Sequence, residues 1–130
     1  MLASIAASLT AGCATPPTPG AALLGNWGGE HIGLELTPTG GRLAYDCAAG
    51  TIDGPLAPDR GGRFAASGTH SPGHGGPDRI GEAPPRYRAN YAGTIAGGAM
   101  ELRIAVPDRD TTLGPFRLRK DAAPRLMRCL

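Results

Sequence analysis

Aromatic residues and helical patterns are both scarce in this chain of 130 residues. Aromatic side chains make up 5% of the sequence, and no long segment repeats its apolar residues at the helical period. A helix bundle is excluded, because its helices need amphipathic segments of several turns. The 21 glycines and 13 prolines instead favour short strands joined by tight turns.

A strong net charge and runs of basic residues are also absent. The formal net charge is +2, and the twelve arginines and one lysine are spread along the chain. A nucleic-acid surface needs basic side chains on one face, so we expect no nucleic acid as a partner. The sequence contains no Gly-x-Ser-x-Gly motif, phosphate-binding loop or recognisable Ser-His-Asp set. We therefore expect a protein that is not an enzyme and that uses no cofactor.

The polar residues that could carry chemistry are few. His70 and His74 lie four residues apart, but the glycines and Pro72 around them prevent the helix that would join them on one metal. With His31 they could form a loop site, but we expect solvated histidines and no metal. Asp46 lies next to Cys47, and we expect it to be solvated at a strand end.

The N-terminal segment is an uncharged, mostly apolar run that ends in Leu9-Thr10-Ala11-Gly12-Cys13. Its end resembles the lipobox of bacterial lipoprotein precursors. The resemblance implies a signal peptide over residues 1–12, lipidation of Cys13, and a place in the bacterial cell envelope as a periplasmic or outer-membrane lipoprotein. The alternatives are a secreted protein cleaved near Ala14 and a cytosolic protein with an apolar N-terminus. The run is too short to span a bilayer as a helix.

A proline-rich segment follows the predicted lipidation site. Residues 13–22 include three prolines, which prevent helix and sheet and favour an extended tether. Residues 23–130 have the length of one domain.

Cysteine usage agrees with an exported protein. Three cysteines are present, and lipidation of Cys13 leaves Cys47 and Cys129 to form a disulfide. This bridge would close a loop of about 82 residues and stabilise the fold by roughly 4 to 4.5 kcal/mol on the chain-entropy model. The alternative is a pair of buried thiols.

Apolar and polar residues alternate along most of the domain, which indicates half-buried strands. Gly97-Gly98 predicts a two-residue hairpin, and Gly114-Pro115 predicts a bulge or kink. The predicted strands are residues 31–37, 42–48, 51–57, 63–69, 87–95, 100–106 and 111–120.

This pattern predicts an all-β fold, an antiparallel up-and-down meander of about seven or eight strands closed as a small barrel. A β-sandwich is the alternative. Leu24-Gly25-Asn26-Trp27 favours the barrel, because it resembles the Gly-x-Trp opening of the calycins, the lipocalin and avidin-like barrels. That resemblance implies that Trp27 packs over one end of the barrel.

The first functional hypothesis is a binding module for a small apolar or amphipathic ligand, as in the calycins. The candidate ligand-binding residues are Trp27, Tyr45, Tyr87 and Tyr91. Residues 71–85 form a long Gly/Pro-rich segment, which is either disordered, a flap over the barrel mouth, or a binding loop. The sequence leaves open whether the barrel is hollow or filled. The residues predicted to face inward are Leu34, Leu36, Tyr45, Phe64, Tyr87, Tyr91, Ile95, Leu102 and Ile104.

The second hypothesis is a scaffold that binds or inhibits another exported protein. Tyr45-Asp46-Cys47-Ala48-Ala49-Gly50 is similar to the Tyr-x-Cys-x-x-Gly segment of the membrane-bound lysozyme inhibitors, which are small disulfide-bridged barrel lipoproteins. The resemblance implies contact with a partner through surface loops. In either case the membrane is a partner through the lipid anchor.

Overall fold

Eight antiparallel strands form a closed barrel in which each strand is paired with the next along the chain. The computed structural model describes residues 21–73, 81, 83 and 85–127. The predicted meander barrel is confirmed, and the sandwich alternative is excluded. The strands are β1 (Gly25–Gly29), β2 (Ile32–Thr37), β3 (Gly40–Tyr45), β4 (Ala48–Asp53), β5 (Arg63–Pro72), β6 (Tyr87–Ala96), β7 (Ala99–Val106) and β8 (Thr111–Lys120), with a short 3-10 helix (Pro107–Arg109) before β8.

The barrel closes through β1, a strand that the alternation pattern does not predict. Trp27 in β1 is paired with Leu34 of β2 on one side and with Lys120 of β8 on the other. Glycines at residues 28 and 29 give β1 no alternating pattern, which explains why it was missed.

Two strands end earlier along the chain than the sequence predicts. β3 ends at Tyr45, because residues 46–47 form a two-residue turn in which Cys47 has a φ of 55°. β4 then begins at Ala48 and ends at Asp53, before Pro55, which has no backbone N–H for a sheet.

Two predictions that depend on glycine, the turn at residues 97–98 and the bulge at Gly114-Pro115, agree with the structure. Residues 97–98 join β6 to β7, and Gly97 has a φ of 59°, which glycine adopts at little cost. The pairing of β7 with β8 shifts register between Leu102 and Ile104, opposite Gly114-Pro115. The predicted bulge is therefore present.

Apolar side chains fill the barrel interior. All residues predicted to face inward belong to one core cluster or pack against it, and Tyr87 and Ile95 are its half-buried members. Each residue of the cluster proper is 5% exposed or less. An eight-stranded barrel is narrow enough for its own side chains to fill. The cluster consists of Trp27, Ile32, Leu34, Leu36, Leu43, Tyr45, Ile52, Leu56, Phe64, Ala89, Tyr91, Met100, Leu102, Ile104, Val106 and Leu118.

The two ends of the barrel differ. At the end where the chain enters β1, which we call the closed end, the fully buried Leu56 packs from the β4–β5 connection and accepts a hydrogen bond from Leu23 N at 2.8 Å. The opposite end, which we call the mouth, carries the turns at residues 30–31 and 46–47 and the connection from β5 to β6.

Residues 121–127 form a strap across the outside of β1 and β2. Gly28 and Gly33 make room for it, because a Cβ on Gly28 would lie 2.8 Å from Pro124 N and one on Gly33 2.9 Å from Pro124 Cβ. Arg125 exchanges backbone hydrogen bonds with the first turn, from its N to Gly29 O at 3.0 Å and from His31 N to its O at 2.7 Å.

Several predicted features lie outside the described residues. They include the signal peptide over residues 1–12, Cys13, most of the tether, His74 and Cys129. The Cys47–Cys129 disulfide therefore stays a prediction, and so does the role of residues 71–85 as a flap. In the described part of the chain, no helix is long and apolar enough to cross a membrane.

Candidate functional site

A pocket of about 400 Å³ opens at the mouth of the barrel. Its lining combines aromatic rings and aliphatic side chains with four titratable groups, a composition typical of small-molecule sites. Larger hollows of about 850 and 640 Å³ lie on the outer wall beside the strap and contain none of the tyrosines. The mouth pocket is lined by His31, Tyr45, Asp46, Ala48, His70, Pro72, Leu113 and Phe116.

Two tight turns bring the polar side of the pocket together. His31 belongs to the β1–β2 turn and has a φ of 70°, while Asp46 belongs to the β3–β4 turn. Their side chains are joined by a contact of 2.5 Å between His31 Nδ1 and Asp46 Oδ2. The other carboxylate oxygen, Asp46 Oδ1, accepts a hydrogen bond from Met127 N at 2.7 Å. Asp46 thus connects both turns to the strap.

Three rings form the aromatic side of the pocket. The rings of Tyr45 and His70 are stacked, with centroids 5.5 Å apart and planes inclined by 11°. Phe116 lies on β8 with its centroid 6.3 Å from that of Tyr45. The Tyr45 hydroxyl also hydrogen-bonds to His70 Nδ1, which fixes the two rings relative to each other. The pocket therefore presents fixed aromatic surface to the mouth.

Gly50 provides the space for two buried hydroxyls beneath the pocket. A Cβ there would overlap Tyr91 Oη and lie 3.3 Å from Tyr45 Oη. Tyr91 donates to Thr69 O at 2.6 Å, so its hydroxyl is satisfied within the wall. Burial raises the pKa of Tyr45 to about 12 and raises that of Tyr91 as well. Both phenols therefore stay protonated at neutral pH.

Tyr87 contributes to the rim. It is paired with His70 across the β5–β6 ladder. Arg109 donates from Nη1 to Tyr87 Oη at 3.1 Å, and its guanidinium carbon lies 4.9 Å from the ring centroid. This cation is close enough to His70 to affect its titration.

The structure separates the four predicted ligand-binding residues. Tyr45 lines the pocket, Tyr91 lies beneath it, and Tyr87 lies on the neighbouring strand at the rim. Trp27 is in the opposite half of the barrel, where it is 3% exposed, donates to Leu24 O at 3.4 Å and lies under Lys120. The geometry thus groups the tyrosines and leaves Trp27 in the core.

Sequence reasoning missed His70 and Phe116 as pocket residues. The predicted strand over residues 63–69 stops one residue before His70, although alternation from Phe64 through Gly68 places His70 on the inward face. Phe116 lies in the last predicted strand but is not among the residues predicted to face inward or to bind a ligand, because the sequence does not show at which end of the barrel a residue lies. Extending β5 by one step would have found the histidine.

The histidines are only partly brought together. His31 and His70 line the same pocket, while His74 lies outside the described residues. Within the ranges that the structure describes, no group of three or more histidine, cysteine or acidic side chains could hold a metal ion.

The titration of His70 predicts a loss of stability in acid. Burial of its ring, and next the Arg109 cation, lower the pKa of His70. The unfolded chain therefore binds the proton first, and the free energy of unfolding should fall as the pH drops below about 6.5, then level off below the folded-state pKa. Urea denaturation at about pH 7.5 and about pH 5 measures this loss. The loss should be smaller in His70→Gln, and an equal loss would contradict the assignment.

Searches against known proteins give no relative from which a role could be transferred. The assignment of a function therefore depends on the geometry of the mouth. No family model, no curated protein and no solved structure matches this chain.

Proposed function

We propose that this chain is an exported, lipid-anchored β-barrel module that binds a small apolar or amphipathic ligand in the mouth pocket and catalyses no reaction. The observation that carries the proposal is the joined set of rings, Tyr45, His70 and Phe116, around a pocket of about 400 Å³. Volumes of this size are in the range of small-molecule sites. The lipobox-like end at Cys13 supports the anchor.

The pocket has two chemically different sides. Phe116, Leu113 and Pro72 offer apolar surface to the body of a ligand. His31 and Asp46 form a half-exposed polar pair at the edge of the same pocket. Because the barrel interior is filled, the ligand is held at the end of the barrel. A small molecule with an apolar body and one polar group fits this arrangement.

Filling the pocket tests the proposal. Ala48 lines the pocket, and its neighbour Ala49 points to the outside of the same strand. Ala48→Trp should weaken binding of the apolar dye anilinonaphthalene sulfonate by about tenfold or more, because the indole occupies the space of the ligand. Ala49→Trp is the matched control and should bind the dye as the original chain does. Equal binding by all three proteins, with unchanged melting temperatures, would place dye binding elsewhere.

Native mass spectrometry then searches for the natural ligand. The full chain carrying Cys13→Ser, purified from an exporting host and exposed to a lysate of its source, should show an adduct of a few hundred daltons. The adduct should disappear on denaturation and in Ala48→Trp. An adduct that persists in Ala48→Trp would contradict binding at the mouth.

Binding of another exported protein is the second candidate function. Leu126 and Met127 are 42% and 66% exposed. Met127 N donates a hydrogen bond to Asp46 Oδ1 beside the pocket. Exposed apolar residues next to a pocket are typical of interaction surfaces. A protein that co-purifies with the original chain, but not with Met127→Glu, would favour this function over ligand binding.

A further inference from the structure

One side of the outer barrel wall is rich in arginine. Five exposed arginines occupy it, together with the acidic residues Glu101, Glu30 and Asp59, the last of which is hydrogen-bonded to the backbone of one of these arginines. We call this surface the basic face; its arginines are Arg63, Arg103, Arg117, Arg119 and Arg125.

Strand pairing gathers arginines that are far apart in the sequence. Arg117 is opposite Glu101, and Arg119 is opposite Ala99, in the β7–β8 ladder. Arg63 is opposite Thr94 of β6, and Thr94 is in turn opposite Glu101. The strap adds Arg125 beside β8, across a groove of about 850 Å³. The arginines are spread evenly along the sequence, but folding brings several of them together on one side of the barrel.

The carboxylates of this face neutralise few of its arginines. Arg103 approaches Glu101 at 4.0 Å, and Arg125 approaches Glu30 at 3.9 Å, both in exposed pairs. The Asp59 carboxylate accepts a hydrogen bond from the backbone N of Arg63 at 3.0 Å. Within the described ranges, no carboxylate oxygen lies within 4.0 Å of the guanidinium nitrogens of Arg63, Arg117 or Arg119. Exposed pairs of this kind contribute little binding energy, so all five guanidinium groups can meet an anionic surface.

The groove on this face offers nothing on which a base could stack. Its floor is made of small residues, among them Ala96, Ala99, Ala122, Ala123 and Gly28. Single-stranded nucleic acids are held by aromatic side chains interleaved with basic ones. The described lining of the groove contains no aromatic residue. A broad anionic surface fits this face better than a nucleic acid.

The position of the chain entry favours a membrane as that surface. The chain enters β1 through Leu23 at the closed end, and Leu24 beside it is 46% exposed. Arg63 and Arg119 lie toward the same end of the barrel, because their pairing partners flank the turn at residues 97–98. A tether over residues 13–22 reaches roughly 31 Å when extended at about 3.1 Å per residue. An anchor at Cys13 would hold the basic face within reach of the bilayer.

We propose that the basic face docks on the headgroups of an acidic phospholipid bilayer. Arginines at such a surface are attracted by its negative potential, and a lipid anchor combined with a basic patch binds membranes more firmly than either alone. This docking surface depends on the barrel and its outer wall, and it does not require the mouth pocket. The anchor supplies the attachment, and the basic face fixes how the domain lies on the membrane.

Vesicle sedimentation tests this proposal without the anchor. The full chain carrying Cys13→Ser should bind vesicles of equal parts phosphatidylglycerol and phosphatidylethanolamine at low salt, and it should not bind phosphatidylcholine vesicles. The double variant Arg117→Gln/Arg119→Gln should partition about thirtyfold more weakly into the acidic vesicles. The matched control is Arg42→Gln/Arg88→Gln, which removes the same charge from exposed positions elsewhere on the outer wall and should keep most of the binding.

Three results would overturn the proposal. They are equal binding to neutral vesicles, equal weakening by both double variants, and no binding to acidic vesicles by a chain with an unchanged melting temperature. Dye binding at the mouth should be unchanged in Arg117→Gln/Arg119→Gln. A loss of vesicle binding with the dye site intact, or the reverse, therefore separates this proposal from the proposed ligand site.

Discussion

Replacing Cys47 by serine is expected to lower the free energy of unfolding by about 4 kcal/mol, because it would remove the predicted cross-link to Cys129 over a long loop. The described part of the strap ends beside the turn that contains Cys47. Met127 N is bonded to the carboxylate of Asp46, next to Cys47, and Cys129 follows two residues later in the sequence. For a domain with a typical total stability of about 5 to 15 kcal/mol, this is a large fraction. Urea denaturation under non-reducing conditions measures the effect.

The matched control for this cysteine is Cys13→Ser. It also removes one sulfur atom, but from the predicted tether outside the barrel, so its stability should equal that of the original chain. A reducing agent should destabilise the original chain and Cys13→Ser alike and leave Cys47→Ser unchanged. Identical melting of the original chain with and without reductant would show that the bridge is absent.

Gly68→Ala is expected to lower the stability of the barrel by about 3 kcal/mol, the upper end of the usual range for overpacking. Gly68 is buried in the middle of β5, where β4 passes very close. A Cβ there would overlap Thr51 O and lie 2.7 Å from Thr51 C and 3.0 Å from Ile52 Cα. These are backbone atoms, so the two strands must separate to accept even one methyl group. The melting temperature should fall by roughly 10 °C or more.

Gly98→Ala is the control for this glycine. It lies in the β6–β7 turn, and a Cβ there would meet nothing within 4 Å. Alanine restricts the unfolded chain, so the change should be neutral or stabilising by up to ~1 kcal/mol. If Gly68→Ala and Gly98→Ala melt at the same temperature, the close approach of β4 and β5 cannot be a constraint on the fold.

Period-two alternation is enough to predict the barrel class and most of its strands. β2 and β7 carry a large apolar residue at every second position, and β6 alternates as well, with Ala89 and Gly93 at two of its inward positions. Their inward faces can therefore be found without knowledge of their neighbours. The turn at residues 97–98 and the bulge at Gly114-Pro115 follow from backbone preferences that are equally local. Such features depend on a few adjacent residues and are therefore visible in the sequence.

The features that escaped prediction depend on contacts between distant residues. β1 is a strand because β2, β8 and the strap surround it. Its Gly28 makes room for the strap, and its Gly29 makes room for the backbone of Arg117 in β8. The turn at residues 46–47 has no glycine, and the contact of Asp46 with His31 lies across two hairpins. No pattern of adjacent residues predicts either this turn or this contact.

The candidate site was predicted in part for the same reason. Tyr45, Tyr87 and Tyr91 were selected as large amphipathic side chains on inward faces, and all three are at or near the mouth. Trp27 precedes the first predicted strand and was singled out through the Gly-x-Trp resemblance; it lies in the other half of the barrel. Which end of a barrel a residue occupies depends on the strand order and register, and these are not encoded within one strand.

The pairing of β1 with β8 also determines when this barrel can form. Its first strand has no complete set of hydrogen-bond partners until the last strand, Thr111–Lys120, has been made and has reached it. Such long-range pairing folds slowly, because much of the chain must be ordered before the seam is formed. A chain that crosses a membrane unfolded, as the proposed export requires, benefits from this delay. Because the barrel cannot close before β8 has been synthesised, the chain remains able to cross a membrane in an unfolded form until then.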